Sequence, residues 1–316
     1  MALEEPILRF YSRVFSFLLI FIIYFFYIIF IKEIILKNEY FLIEKKVNYK
    51  NIIDANIIDN QLNLFIYKMT LKAILLIDNK IHFGKFKLDN ENTFNKILSK
   101  ISQPSNIYEK ITIVEGWSKK DLNKIFNKNF NEYVELDYNR IIADTYMFSE
   151  GSSFNEFKKQ LDKRYMLLKN KFKNHYLLKK YSFNEILIIG SLLEKEGLDY
   201  NDKRNIYSVI MNRLNNKIKL QIDATVIFSL TMDNNDLDRK LTYEDLQINH
   251  PYNTYYNYGL PPGPISYVGY KTIELIFEDY KTDYLFYFYN SFENKHIFSL
   301  SYKAHLEKLN EYRSKK

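Results

Sequence analysis

Several residue types with distinctive chemistry are absent or scarce in this chain of 316 residues, which has no cysteine, one tryptophan, six prolines and eight glycines. Without cysteine, a disulfide framework and thiolate chemistry are excluded. Neither a glycine-rich phosphate loop nor a Gly-x-Ser-x-Gly turn occurs, so no local motif indicates nucleotide binding or a serine hydrolase. The five histidines form neither H-x-x-x-H nor H-E-x-x-H, and we therefore predict no metal and no other cofactor.

Positive charge is in modest excess and is spread along the chain. Lysine and arginine total 45 against 38 acidic residues, a formal charge of +7. No compact basic block accompanies this excess, which permits attraction to an anionic polymer or a membrane surface without requiring either. Because no recognised binding motif is present, we predict no nucleic-acid partner.

An uncharged apolar stretch, Val14–Ile31, is close to the roughly 20 residues that span the hydrocarbon core of a bilayer. Basic residues stand on both sides of it, so the positive-inside rule decides its orientation only weakly. A cleaved signal peptide is the main alternative, but no alanine stands within or shortly after the stretch to form a cleavage site. A buried core helix is a third interpretation. We expect one transmembrane helix over residues 14–36, with residues 1–13 in the cytoplasm.

Residues 38–108 have the pattern of a small mixed module and offer no residues suited to chemistry, so a spacer and a binding module both fit. Two helices are predicted in this module, at Tyr49–Ala55 and Thr93–Ile101. Two strands are predicted between them, at Ala73–Ile77 and Ile81–Leu88, joined by a turn at Asp78-Asn79. A plausible linker follows at residues 103–106. We expect residues 109–316 to form an α+β domain.

The central feature of this domain is the apolar run between Ser182 and Gly197. Ser182 and Glu185 have the S-x-x-E spacing of a capping box, which satisfies unpaired amides at the start of a helix. Gly197 most readily takes the left-handed conformation that ends a helix. Because the run is too apolar for an exposed helix, we predict a buried core helix that carries two carboxylates at its end, Glu194 and Glu196.

The two glutamates occupy different faces of that helix, because residues three, four and seven apart share a face and residues two apart do not. Glu196 lies over an apolar stripe, and Glu194 over a smaller and more polar one. The residues below Glu196 are Leu193, Leu192 and Ile189, and those below Glu194 are Ser191, Gly190 and Leu187. An apolar surrounding raises the pKa of a carboxyl group, which suits a general acid near neutral pH. The alternative is that both are solvated ends of a helix.

Two further segments carry polar groups suited to ligand recognition. In an extended segment Gln221, Asp223 and Thr225 point to one side, as sugar recognition would require, although a half-exposed strand gives the same alternation. Upstream, Arg213 is expected either to pair with an acidic group or to be solvated on a helix surface.

Four of the six prolines lie between Pro251 and Pro264, and they fix backbone dihedrals into a rigid loop. This loop carries tyrosine, asparagine and threonine side chains that a ligand can contact: Tyr252, Asn253, Thr254 and Tyr255. Rigid loops lose little entropy on binding, but an ordinary structural loop fits equally.

The motifs taken together resemble the endolytic murein transglycosylases of the YceG-like family. The matching segments appear in the family order and are Ser191–Glu196 (SLLEKE), Val209–Leu214 (VIMNRL), Leu220–Val226 (LQIDATV), Tyr252–Tyr255 (YNTY), Gly259–Ile265 (GLPPGPI), Tyr284–Phe288 (YLFYF) and His296–Phe298 (HIF). The resemblance is close over Ile186–His305, looser over Val114–Phe148, and faint in the N-terminal module, which is LysM-like in the family. Ala224, Ala143 and Val268 replace family prolines, so they affect loop rigidity and remove no polar group.

The resemblance implies a lytic transglycosylase that cleaves the β-1,4 bond between N-acetylmuramic acid and N-acetylglucosamine within glycan strands. Glu196, the second glutamate of the E-K-E motif, would be the catalytic acid and Glu194 would support it. Glu196 would protonate the leaving oxygen and then, as a carboxylate, accept the proton of the C6 hydroxyl as it closes on C1. Gln221, Asp223, Thr225 and the loop residues named above would line the glycan groove.

Two other classes of function remain open. In a hydrolytic muramidase, Asp223 or Glu194 would activate water, and the product would carry a reducing end. In a non-catalytic protein, the same groove would bind peptidoglycan as a membrane-anchored scaffold.

The expected architecture is α+β throughout: the N-terminal transmembrane helix, the LysM-like module and the catalytic domain. The resemblance implies an inner-membrane protein whose catalytic domain lies in the periplasm or otherwise outside the cytoplasm. Its expected partners are peptidoglycan strands and glycan-polymerising synthases.

Overall fold

The computed structural model describes residues 4–44, 48–77, 81–88, 92–105, 107–130, 136–149, 152–232 and 237–315, with side chains described from residue 9 onward. The chain forms two compact units. The first comprises Met1–Lys110 with Met147–Ser152, and the second comprises Ile111–Tyr146 with Ser153–Lys316.

The first unit begins with a long helix and continues as a small α+β module. The helix α1 passes directly into a π-helical turn, Tyr27–Ile31. The elements are α1 Glu4–Phe26, β1 Ile35–Leu36, β2 Phe41–Ile43, α2 Tyr49–Asn56, β3 Ile57–Ile58, α3 Gln61–Ile77, β4 Gly84–Phe86, α4 Phe94–Ile101 and β5 Tyr108–Thr112. Strand β1 pairs with β3, and β2 pairs with β4, both antiparallel.

The core of this unit includes the end of the apolar helix. Ile28 and Ile29 are buried together with Phe41, Tyr67 and Phe94. Asn48 accepts a hydrogen bond from the Lys50 amide at the start of α2. The apolar N-terminal helix and the module therefore belong to one unit.

The helices predicted at residues 49–55 and 93–101 are confirmed, the second with Thr93 as its N-cap residue. The strand predicted at Ala73–Ile77 is wrong, because these residues continue α3, whose buried side packs Ile66, Tyr67 and Leu71 into the core. A strand occupies only Gly84–Phe86 of the predicted 81–88. The predicted turn at Asp78-Asn79, and Asn106 of the predicted linker, lie outside the described residues.

The second unit is mainly helical with short strand pairs. Its elements are α5 Lys119–Phe130, β6 Ile142–Ala143, β7 Thr145–Ser149, α6 Phe154–Phe172, α7 Phe183–Glu196, α8 Tyr200–Asn215, α9 Asp223–Thr231, α10 Tyr243–Leu246, β8 Val268–Gly269, α11 Tyr270–Phe277, β9 Phe286–Asn290, β10 Lys295–Ser299 and α12 Tyr302–Ser314. Strands β5 and β7 each include residues of both units. Strand β6 runs parallel to β8, and β9 and β10 form an antiparallel hairpin.

Helix α7 is the buried centre of the second unit, as its sequence predicts. The capping box is present, with the Glu185 amide donating to Ser182 Oγ at 3.2 Å and the Ser182 amide donating to Glu185 Oε2 at 2.7 Å. Residues Ile186 to Leu193 are all buried. The helix packs against α8, α9, α11 and β8, so any group at its C-terminus is held by several elements at once.

The end of α7 differs from the prediction. Gly197 has φ −82° and ψ 139°, an extended conformation open to any residue, rather than a left-handed one. A Cβ atom at this position would lie 2.2 Å from Lys203 Cγ and 3.1 Å from the Leu193 carbonyl oxygen. Close approach of α8 therefore explains the glycine, and backbone conformation does not.

Candidate active site

Glu196 ends α7 and has the environment that its apolar stripe predicts. Part of the residue surface stays accessible, while the carboxyl group is largely removed from solvent. This desolvation raises the pKa of Glu196, and the negative charge of Asp223 raises it further. Hydrogen bonds from the Tyr287 hydroxyl, at 2.9 Å, and from the Ala224 amide act in the opposite direction. Desolvation thus favours the neutral acid, while the two hydrogen bonds favour the carboxylate.

Tyr287 reaches this carboxyl group from the β9–β10 hairpin, in which it is paired with Phe298. Its hydroxyl donates to Glu196 Oε2. Burial, followed by the negative charge of Glu196, raises the pKa of the Tyr287 hydroxyl well above its ordinary value. The hydroxyl therefore remains a donor at neutral pH and favours the carboxylate form of Glu196.

Arg213 holds together two segments that border the site. Its side chain is buried. Among the described residues it donates to uncharged oxygen atoms: Nε donates to the Leu285 carbonyl at 2.7 Å, and Nη1 donates to the Leu220 carbonyl at 2.8 Å. Both predicted alternatives, an acidic partner and a solvated surface position, are therefore wrong. Burial lowers the pKa of Arg213, but the arginine stays charged because its ordinary pKa is so high.

Asp223 and Tyr255 form a second polar pair near Glu196. The Tyr255 hydroxyl donates to Asp223 Oδ1 at 2.6 Å, and the two groups come from the start of α9 and from the proline-rich loop. Burial, together with this carboxylate, raises the pKa of the Tyr255 hydroxyl. Asp223 itself is exposed, so its carboxylate is open to a ligand.

The extended segment predicted at residues 220–225 is wrong, because α9 already begins at Asp223. Gln221 is exposed with φ +53°, and its backbone amide donates to the Thr254 carbonyl oxygen at 3.2 Å. Thr225 is fully buried, and its hydroxyl bonds to that of Thr254 at 2.8 Å. One turn of helix therefore replaces the predicted alternation and turns Thr225 into the core.

The proline-rich loop contributes unequally to the site. Asn253 and Thr254 are buried, and the Asn253 amide group donates to the Leu246 and Ile248 carbonyls. These bonds shape the loop and leave neither side chain open to a ligand. Tyr252 is partly exposed and packs on Phe228, with ring centroids 4.6 Å apart.

Glu194 points away from Glu196 into a different environment. Its side chain is 1% exposed and forms an ion pair with Lys203 of α8. Its Oε1 also accepts the Gly269 amide at 2.9 Å. This paired and hydrogen-bonded carboxylate connects α7, which carries Glu196, to α8 and β8.

A histidine–carboxylate pair lies on the other side of Tyr287. His296 Nδ1 is 2.8 Å from Asp202 Oδ2, and the His296 ring meets the Tyr287 ring edge to face at 5.4 Å. In the sequence, His296 is recognisable only as part of a family motif, and no role is predicted for Tyr287. A run of aromatic residues looks the same whether a hydroxyl points to a carboxylate or to solvent, so no local signal identifies Tyr287.

Among the described residues, no group of three or more histidine, aspartate or glutamate side chains is placed to hold a metal ion. The fold and the site define an α+β protein in which the desolvated carboxyl group of Glu196 lies beside polar, partly exposed loops. The YceG-like family model matches residues 43–311, and the chain belongs to the YceG-like family. The predicted family resemblance is thereby confirmed.

Several relatives carry a functional name. The chain is 34% identical over 195 residues to the endolytic murein transglycosylase of Bacillus subtilis (strain 168), covering 61% of this chain and 52% of that protein. It is 30% identical over 167 residues to the protein of the same name from Streptococcus pneumoniae (strain ATCC BAA-255 / R6), covering 51% and 29%. The chain thus spans about half or less of the length of these curated relatives.

The fold also has a solved counterpart. A yceG-like protein of Listeria monocytogenes, known from a crystal structure, superposes with a TM-score of 0.52 at 24% identity, covering 85% of this chain and 97% of that one. This likeness concerns the fold, and it confirms the predicted mixture of helices and strands.

Proposed function

We propose that this protein is an endolytic peptidoglycan transglycosylase that cleaves the bond between N-acetylmuramic acid and N-acetylglucosamine and leaves 1,6-anhydro ends. The observation that carries the proposal is Glu196, whose pKa is raised by desolvation while a hydroxyl and an amide remain in place to bind its carboxylate. The names of the relatives supply the substrate class.

The proposed mechanism uses Glu196 twice. In its protonated form it donates to the glycosidic oxygen as the bond from C1 breaks. The resulting carboxylate, bound by the Tyr287 hydroxyl and the Ala224 amide, then accepts the proton of the C6 hydroxyl as that oxygen closes on C1. The reaction requires no second carboxylate and consumes no water, and in both respects it differs from ordinary glycoside hydrolysis.

The proposed groove is lined by the partly exposed polar residues around this acid: Gln221, Asp223, Tyr252 and Tyr255. The groove also depends on three buried residues, Thr225, Asn253 and Thr254. Their hydrogen bonds hold the segments that carry the groove residues. Glu194 is already occupied by Lys203 and the Gly269 amide, which makes it a poor base and disfavours a hydrolytic reaction in which Glu194 activates the water.

We also propose that the apolar helix is a single-pass membrane anchor with the catalytic domain outside the cytoplasm. Residues Arg9–Ile31 are helical, and an 18-residue window within them has a mean hydropathy of 2.9, with only 11% of that window buried within the protein. This position would let the enzyme cut strands as glycan-polymerising synthases extend them, and so terminate elongation.

The decisive experiment incubates the full-length chain in detergent with uncrosslinked glycan strands and weighs the products. The full chain is needed because the N-terminal segment contributes Ile28, Ile29 and Ile34 to the core of the first unit. Anhydro ends, lighter by one water than reducing ends, are expected, and they should disappear in Glu196→Gln. Reducing ends would favour the hydrolase, and binding without cleavage would favour the scaffold.

A further inference from the structure

Helix α3 in the first unit has one side that no described residue of that unit covers. Its inner side is buried in the core, whereas large apolar side chains on its outer side are exposed at helical spacing. Four of these residues, Leu62, Phe65, Met69 and Leu76, share one side of the helix and together form what we term the α3 face. Because these side chains follow one another along a single side of the helix, they form a continuous apolar patch. Such a patch marks a site of contact with a protein or a membrane.

The contacts between α3 and the apolar helix α1 place this face at a definite depth. The Tyr24 hydroxyl donates to Asn63 Oδ1 at 2.7 Å, between Leu62 and Phe65 in the sequence. One turn later, Ile28 and Ile29 are buried in the module core. The first turns of α3 therefore lie level with the last two turns of the apolar helix.

The opposite side of those last turns also bears on the depth. Phe26, Tyr27, Phe30 and Ile31 remain exposed there, and the Phe26 and Phe30 rings stack at 4.8 Å. If the helix spans a bilayer, lipid must reach Ile31 to cover these side chains. Lipid and module then occupy the same level on two sides of one helix.

Helix length leads to the same result. The part of the apolar stretch before Tyr24 rises roughly 15 Å at about 1.5 Å per residue, half of a hydrocarbon core of about 30 Å. Including the turns up to Ile31 brings the length to roughly 27 Å. The helix therefore spans a bilayer only if the turns held by the module enter it, and this draws the module against the lipid.

We infer that the α3 face lies in the membrane interface and forms a second lipid contact beside the transmembrane helix. This rests on the proposed membrane anchor. The exposed Lys72 on the same helix can extend its amine to anionic headgroups while its stem covers apolar surface. The two contacts together fix the tilt of the first unit relative to the bilayer, which the transmembrane helix alone would leave free.

The absence of cysteine from the sequence makes the test direct, since a single introduced thiol is the only one to label. Full-length Phe65→Cys and Leu62→Cys, each carrying an environment-sensitive nitrobenzoxadiazole label, are inserted into vesicles of phosphatidylcholine and phosphatidylglycerol. Ile20→Cys marks the span, and Ser314→Cys on the exposed end of α12 controls for adsorption of the label. Brominated lipid should quench positions 20, 62 and 65 at least roughly threefold more than position 314.

Quenching at position 20 with none at positions 62 and 65 would overturn the inference while leaving the anchor intact. Blue-shifted emission at position 65 without lipid quenching would also overturn it, because a protein partner would then cover the face. An unquenched label at position 20 would refute the anchor itself. Glycan cleavage in detergent is measured separately, so failure of the membrane contact is distinguishable from failure of the enzymatic proposal.

Discussion

The regions around Glu194 and Glu196 show how one helix end can build two opposite electrostatic environments. Glu194 enters a closed site where Lys203 and a backbone amide neutralise it. Glu196 enters an apolar site where a neutral hydroxyl is its hydrogen-bonding side-chain partner and a nearby carboxylate repels it. One carboxylate is occupied by an ion pair, while desolvation raises the pKa of the other. The same residue type is thereby structural at one position and suited to catalysis at the next.

The sharpest test of this comparison replaces each glutamate by glutamine in turn. For Glu196→Gln we expect glycan cleavage to fall by roughly a thousandfold or more, because the amide cannot transfer a proton. Circular dichroism and the melting temperature should remain close to those of the parent. Retained cleavage in a folded Glu196→Gln protein would remove this residue from the mechanism.

The matched variant Glu194→Gln should show the reverse profile. Loss of the carboxylate leaves Lys203 without its partner, and we expect the free energy of unfolding to decrease by about 2–3 kcal/mol, with cleavage reduced by about tenfold or less. Urea unfolding and kcat/KM measure the two effects. Adding Lys203→Met should recover part of the stability. A stable but inactive Glu194→Gln protein would contradict the assignment of a structural role.

The variant Tyr287→Phe removes the hydroxyl group that bonds to Glu196 and so tests how that bond affects the pKa of Glu196. The Tyr287 hydroxyl bond favours the carboxylate, so its loss should raise the pKa of Glu196 further. The decline of kcat/KM at high pH, where the acid loses its proton, should then move to higher pH, and cleavage should fall about tenfold from the lost positioning. An unchanged pH profile would reduce Tyr287 to a packing role.

The smallest expected effect comes from Asp223→Asn, which keeps an acceptor for Tyr255 and removes one negative charge. Because Asp223 raises the pKa of Glu196, the high-pH decline of kcat/KM should move to lower pH, opposite to the shift in Tyr287→Phe. The shift is reduced by solvent screening at an exposed carboxylate. A displacement of both profiles in the same direction would show that at least one of the two residues does not act on Glu196 as proposed.

Prediction from sequence succeeded where the cause is local. The capping box at Ser182 and the apolar stripe beneath Glu196 follow from neighbours within one or two helical turns. Prediction failed where an apolar pattern fits two structures, as at residues 73–77, which continue a helix because its inner side completes a core. Gly197 was correctly placed at the helix end for a reason that proved wrong, since the constraint is the approach of Lys203.

What the sequence by itself determined is the central helix, its two glutamates on separate faces, the apolar N-terminal span and the family. Only the tertiary structure decided that Tyr287, 91 residues away, donates to Glu196, that Arg213 is buried among backbone carbonyls, and that Thr225 is in the core. Periodicity fixes which side of a helix faces inward. The partner that meets that side comes from distant segments, and its identity depends on packing that no local pattern encodes.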